Sequence, residues 1–106
     1  MTVISIKAAA TRPDISELVA RAAEIRTFVR EQAEQTEANR QVSAEAIERM
    51  RAAGLFRIMT PAVYGGYEYG FDALVPVVAQ VAAGCGSSGW VFSLGVVHQW
   101  LVATSR

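Results

Sequence analysis

Residues 59–105 read MTPAVYGGYEYGFDALVPVVAQVAAGCGSSGWVFSLGVVHQWLVATS, and they hold only two charged side chains, Glu68 and Asp72. The other charges crowd elsewhere: 17 of the chain's 20 lie in residues 1–58, and one is Arg106. Charged side chains are almost never fully buried, so helices that lack them are expected to be covered all round. Two such helices are expected here. Asp72 can cap the first, running to about Ala83, with Pro76 tolerated because it falls in or close to the first turn. GCGSSG then breaks the chain, Ser87 or Ser88 can cap again, and a last helix runs from about Trp90 toward the end. A chain of 106 residues has too little other material to cover both helices. Partner subunits or further polypeptide are expected to do it, and the abrupt finish at Arg106 points to truncation.

Upstream the pattern changes. Residues 1–13 read as an irregular lead-in, and Asp14, with Glu17 three residues later, reads as a capping box that opens a first helix. Ile15, Leu18, Val19, Ala22, Ile25 and Val29 fall at helical spacing, while Arg21, Glu24, Arg30, Glu31 and Glu34 lie off that stripe. This describes an amphipathic surface helix ending in the polar run Gln35 to Gln41. Ser43 can cap a short second helix, with Glu45 in its first turn and Ala46, Ile47, Met50 and Ala53 on its buried side. Gly54 suits the left-handed position beyond its end, and Leu55 supplies the accompanying apolar contact. In the connector LFRIMTPAVYGGYEYG (55–70), Thr60-Pro61 blocks a helix and Gly65-Gly66 permits positive torsions. Tyr64, Tyr67 and Tyr69 crowd that turn and are expected to anchor it to its own core, with direct contact to a ligand as the alternative. The expected fold class is all-α.

Bulk composition excludes several functions. Ten basic and ten acidic residues cancel, and Arg49, Arg51 and Arg57 are interleaved with Glu45 and Glu48, so no track for nucleic acid or an anionic membrane is present. Cys85 is the single cysteine; it cannot form an internal disulfide, has no second thiol to share a metal, and fits a reducing cytoplasm. No charged leader precedes an apolar run at the start. The longest apolar stretch, Trp90 to Ala103, is too short to span a bilayer and contains Ser93, His98 and Gln99. A soluble cytoplasmic protein is expected.

Two motifs bear on chemistry. Gly84-x-Gly86-x-x-Gly89 matches the dinucleotide fingerprint, which needs a strand before it and an acidic residue about 20 positions after it. Pro76 and the alanines before it argue against a strand, so the run is read as one helix ending and another beginning. His98 is the only histidine. With Trp90, Leu94, Val97 and Leu101 it shares one face by the i, i+4, i+7, i+8, i+11 rule. An imidazole there could hydrogen-bond a substrate oxygen or carry a proton; bonding to a local carbonyl is the alternative. No second ligand stands four residues away, so no metal is expected.

Taken together, MRAAGLFRIMTPAVYGGYEYG (50–70), an apolar helix, and AAGCGSSGWVFSLGVVHQW (82–100) resemble the N-terminal helical domain of the acyl-CoA dehydrogenase superfamily. Leu55-Phe56, Pro61 and Tyr64-Gly65-Gly66 are typical of the whole superfamily. The CGSSGW run, with histidine eight residues after Trp90, looks more like its flavin-dependent monooxygenases, the oxygenase components of two-component aromatic hydroxylases. The resemblance covers residues 14–106 and implies a helical N-terminal domain, incomplete without a middle β-domain and a C-terminal bundle. It implies that reduced FMN or FAD arrives from a separate reductase, reacts with oxygen, and yields a hydroperoxyflavin that hydroxylates an aromatic ring. His98 would then match a histidine bonded to the substrate's phenolic oxygen, and Trp90 an aromatic lining the same pocket. Most flavin contacts, and the glutamate base of acyl-CoA dehydrogenases, would lie in regions absent from this chain. The resemblance also implies a homo-oligomer. Dehydrogenation of an acyl thioester stays open as an alternative, with Trp90 leaning toward hydroxylation. From a different class, so does a non-catalytic helical module binding a partner through its apolar half.

Overall fold

A computed structural model describes residues 12–104, among which the regular structure is helical; most of the expected lead-in, residues 1–11, lies outside the described residues. The first helix, α1, spans Ile15–Glu31 and begins where expected, because the Asp14 carboxylate accepts the backbone N–H of Glu17 at 2.8 Å. That bond, and a second from the Ser16 hydroxyl, hold the Asp14 carboxyl below its ordinary range. The reciprocal half of the capping box is not made: Glu17 turns forward to Arg21 at 2.6 Å. The ladder breaks at Gln32 and resumes as α2, Ala33–Asn39, which ends in the polar run at Arg40, whose φ is 52°. Helix α3, Ala44–Ala52, starts on Ser43, whose hydroxyl accepts from the N–H of Ala46 at 3.1 Å. Gly54 follows it with φ 78°, a left-handed conformation that costs glycine little.

Short 3₁₀ turns at Leu55–Arg57 and Ala62–Tyr64 carry the chain through the connector. The N–H groups of Tyr67 and Tyr69 bond back to the carbonyls of Arg57 (2.9 Å) and Ile58 (2.8 Å). The Tyr69 hydroxyl donates to the Pro13 carbonyl at 2.8 Å, and the Arg12 guanidinium lies 4.2 Å from its ring centroid. Tyr67 and Tyr69 thus anchor the loop, whereas Tyr64 is exposed. Gly66 is required, since a Cβ there would run into the Thr60 carbonyl oxygen.

The second half differs from expectation at its helix starts. Helix α4 spans Phe71–Gly84, and its N-cap is Gly70, with no side-chain bond. Asp72 is therefore a first-turn residue whose charge favours the helix dipole, not the cap. The earlier start puts Pro76 at the sixth helical position, past the first turn; the carbonyl it leaves without a helical donor belongs to exposed Asp72, within reach of water. Only Cys85, extended at φ −159° and ψ 117°, separates α4 from α5, which spans Gly86–Thr104. Neither Ser87 nor Ser88 caps. The Cys85 carbonyl already accepts from the N–H of Gly89 at 3.0 Å, and the Ser87 hydroxyl donates to Glu37 at 2.7 Å.

Helix α1 packs on α4, α4 on α5, and α3 beneath α1. Leu18, Ala22, Ile25 and Val29 meet a core that includes Met50, Leu55, Ile58, Leu74, Val77, Val81, Phe92 and Val96. Each larger side chain so buried contributes roughly 1.5–3 kcal/mol. Arginines of α1 finish its neighbours: Arg21 donates to the Ala53 carbonyl at 2.9 Å and Arg30 to that of Ala83 at 3.3 Å. The last turn of α4 has no basic residue of its own, so Arg30 supplies the cation its dipole favours. Among the described residues no helix is long and apolar enough to cross a membrane.

Candidate functional site

Helix α5 is apolar on every side, so hydrophobic pattern alone does not say which face turns inward. The structure buries Ser88, Gly89, Phe92 and Val96. Trp90 (65% exposed), Leu94 (50%) and Leu101 (53%) project the other way, with exposed His98 among them and Val97 half-buried beside them. Of the residues grouped from spacing, Trp90, Leu94, His98 and Leu101 share a face turned away from the core, whereas Val97 packs against it. Trp90 and His98 lie two turns apart along that face, about 12 Å at 1.5 Å per residue. Helix α4 also leaves Phe71 and Val75 outward.

Neither the imidazole of His98 nor the indole N–H of Trp90 makes a side-chain hydrogen bond among the described residues; Trp90 only accepts, through its carbonyl, from the Ser93 hydroxyl at 2.9 Å. The local carbonyl bond open to a mid-helix histidine is not formed. Both ring nitrogens of His98 are therefore available to a ligand. An aromatic and aliphatic wall with one such polar group suits a flat, mostly apolar ligand carrying a single hydroxyl or carbonyl. Among the described residues no group of three or more His, Cys, Asp or Glu could hold a metal. Residues 58–104 contain no Lys or Arg, so α4 and α5 themselves bring no cation to this face to pair with a phosphate; Arg51 and Arg57 instead line a cavity beside Gln99.

Packing explains two of the three glycines in the run. A helix precedes it, not a strand. A Cβ on Gly84 would strike the Arg26 carbonyl oxygen of α1, and one on Gly89 would lie 2.6 Å from the Cβ of Ala82. Gly86 faces open space. Gly84 and Gly89 thus serve the close approach of α4 to α1 and to α5.

Spacing singled out the outward residues but missed what seats the helix. Phe56 packs against Phe92, ring centroids 5.5 Å apart, and fits over Gly95. A glycine inside an otherwise apolar helix was the available clue.

Several known proteins resemble this chain. A FADH(2)-dependent resorcinol hydroxylase, oxygenase component, from Rhizobium sp. is 40% identical over 95 residues, 90% of this chain and 23% of the relative. A flavin-dependent monooxygenase, oxygenase subunit HsaA, from Rhodococcus jostii is 35% identical over 75 residues, 71% of this chain and 20% of the relative. A p-hydroxyphenylacetate 3-hydroxylase, oxygenase component, from Acinetobacter baumannii is 30% identical over 96 residues, 89% and 23% respectively. The chain spans about a fifth of the length of these curated relatives. No solved structure is a significant match. Residues 15–105 match the family described as acyl-CoA dehydrogenase, N-terminal domain, and the helices fit that assignment: the chain belongs to this family.

Proposed function

We propose that this chain is the N-terminal part, residues 14–106, of a flavin-dependent monooxygenase that hydroxylates an aromatic substrate. The observation that carries the reading is the outward face of α5, which presents both Trp90 and His98, whose side chains make no hydrogen bond among the described residues. The hydroxylase names of relatives 30–40% identical to it support the same chemistry. Reduced flavin and dioxygen supply the oxygen atom when the cofactor is bound. The outward face suits the phosphate of FMN or FAD poorly, since α5 carries no Lys or Arg, so further polypeptide holds most of the flavin. A separate reductase supplies it in reduced form, in the cytoplasm, and the working enzyme is a homo-oligomer.

The work of the present residues is to bind and prepare the ring. Trp90 offers a flat wall against which an aromatic substrate packs offset or edge-on, and Leu94 and Leu101 exclude water beside it. A His98 ring nitrogen accepts the hydrogen bond of a phenolic O–H, or takes its proton. Either raises electron density in the ring and favours attack on an electrophilic oxygen.

Replacing His98 with Ala in the full-length enzyme tests this. Hydroxylated product per oxygen consumed should fall by roughly 10²-fold, the low end of what a positioned acid–base group contributes. Reduced flavin should still be oxidised, with the oxygen recovered as hydrogen peroxide. An unchanged product yield would show that His98 does not touch the substrate.

A further inference from the structure

Because α5 is apolar all round, burial energy would be gained almost as well with Trp90 and Leu94 turned inward as with Phe92 and Val96. Something other than hydrophobicity must choose the roll of the helix. We propose that Gly89 and Gly95 are positioning residues: they clamp the roll of α5 and thereby aim Trp90 and His98 outward. This rests on reading the outward face as the substrate wall.

The two glycines flank the buried ridge of Ser88, Phe92 and Val96. Six residues apart, they are separated by about 240° of rotation, or about 120° across the buried side. At Gly89 an added Cβ would lie 2.6 Å from the Cβ of Ala82, 2.7 Å from its Cα and 3.0 Å from its backbone nitrogen. Two of those atoms are backbone of α4 and cannot retreat alone. At Gly95 the added Cβ would lie 2.7 Å from Cε1 and 3.1 Å from Cδ1 of Phe56. That ring is held in turn by Phe92, 5.5 Å away and tilted by 55°. Rolling α5 in either direction would bring a side chain to one of these seats where only a hydrogen atom fits. Trp90 directly follows the first seat, and His98 lies one turn beyond the second, so an error in roll reaches both.

The test uses the full-length enzyme, with resorcinol and p-hydroxyphenylacetate as probes and three variants. Gly89→Ala meets backbone and can fail to fold, so Gly95→Ala carries the decision. Gly95→Ala should lower product per oxygen consumed by roughly tenfold, a displacement effect smaller than the 10²-fold of a full 1 Å misplacement. Adding Phe56→Leu, which removes the ring atoms met by the new Cβ, should restore most of the yield. Crystal structures should show α5 rolled or shifted in Gly95→Ala and returned in the double variant. If Phe56 swings aside while α5 stays in place and the yield per folded enzyme is unchanged, the clamp is wrong. If the wild-type enzyme hydroxylates neither probe, it is the functional reading that weakens. The crystal structures then decide the clamp alone: a moved α5 upholds it and an unmoved α5 overturns it.

Discussion

Helices α1 and α5 each bury four residues, yet they present opposite surfaces. Outside its stripe of Leu18, Ala22, Ile25 and Val29, α1 shows water Glu24, Arg30 and Glu31. Opposite Phe92 and Val96, α5 shows Trp90, Leu94 and Leu101. Hydrophobicity in α1 therefore reports the core, and little is left over. In α5 it exceeds what this core uses, and the excess stays exposed as Trp90, Leu94, Leu101 and Val102.

The comparison breaks first if the two faces of α5 prove alike. Phe92→Ala should cost about 3–5 kcal/mol, enough to remove most of a small domain's stability. Leu94→Ala should stay within about 0.5 kcal/mol. Urea denaturation of the chain by itself, at concentrations where it is monomeric, measures both, and equal costs would mean the face assignment is wrong. A second expectation concerns association. The chain by itself should self-associate through the open face, and Leu94→Glu with Leu101→Glu should bring its mass by light scattering back toward 11.4 kDa. Aggregation that persists in that double variant would place the sticky surface elsewhere.

Smaller effects sharpen the charged side of the contrast. Ser43→Ala removes both the cap on α3 and the 2.7 Å bond to Gln32, and should cost about 1 kcal/mol in the same denaturation assay. The smallest effect is the pH dependence of the α1 cap. The Asp14 carboxyl is held below its ordinary value, so its contribution is complete above about pH 4 and disappears as pH falls through the lowered value. Asp14→Asn, which keeps an accepting oxygen but no charge, should flatten that acid limb in a melting-temperature profile. A limb of unchanged slope would assign the dependence to other carboxylates.

Local features of the first half were legible in residue order. Asp14 and Ser43 cap as expected, Gly54 turns left-handed where expected, and the α1 stripe is the buried one. These are short-range effects, decided by groups within four residues of one another. The second half was less legible. Asp72 competed with a glycine for the cap and lost it, because the extended Gly70 begins the helix without any side-chain bond. Ser87 lost its capping role to a carboxylate 50 positions away, a partner no local rule contains. The break between α4 and α5 is one residue wide, so a six-residue interruption was an overestimate. The family resemblance carried by residues 50–70 and 82–100 agrees with the family match over 15–105.

By itself, the order of residues determined that the chain is helical, where α1 and α3 begin, and that its second half carries more apolar surface than it can bury. Those outcomes follow from capping chemistry and from the charge missing after Met59, both visible without coordinates. Which side of α5 faces outward was decided by tertiary structure. An evenly apolar helix has no preferred face of its own, so contact distances to Ala82 and Phe56 had to choose one.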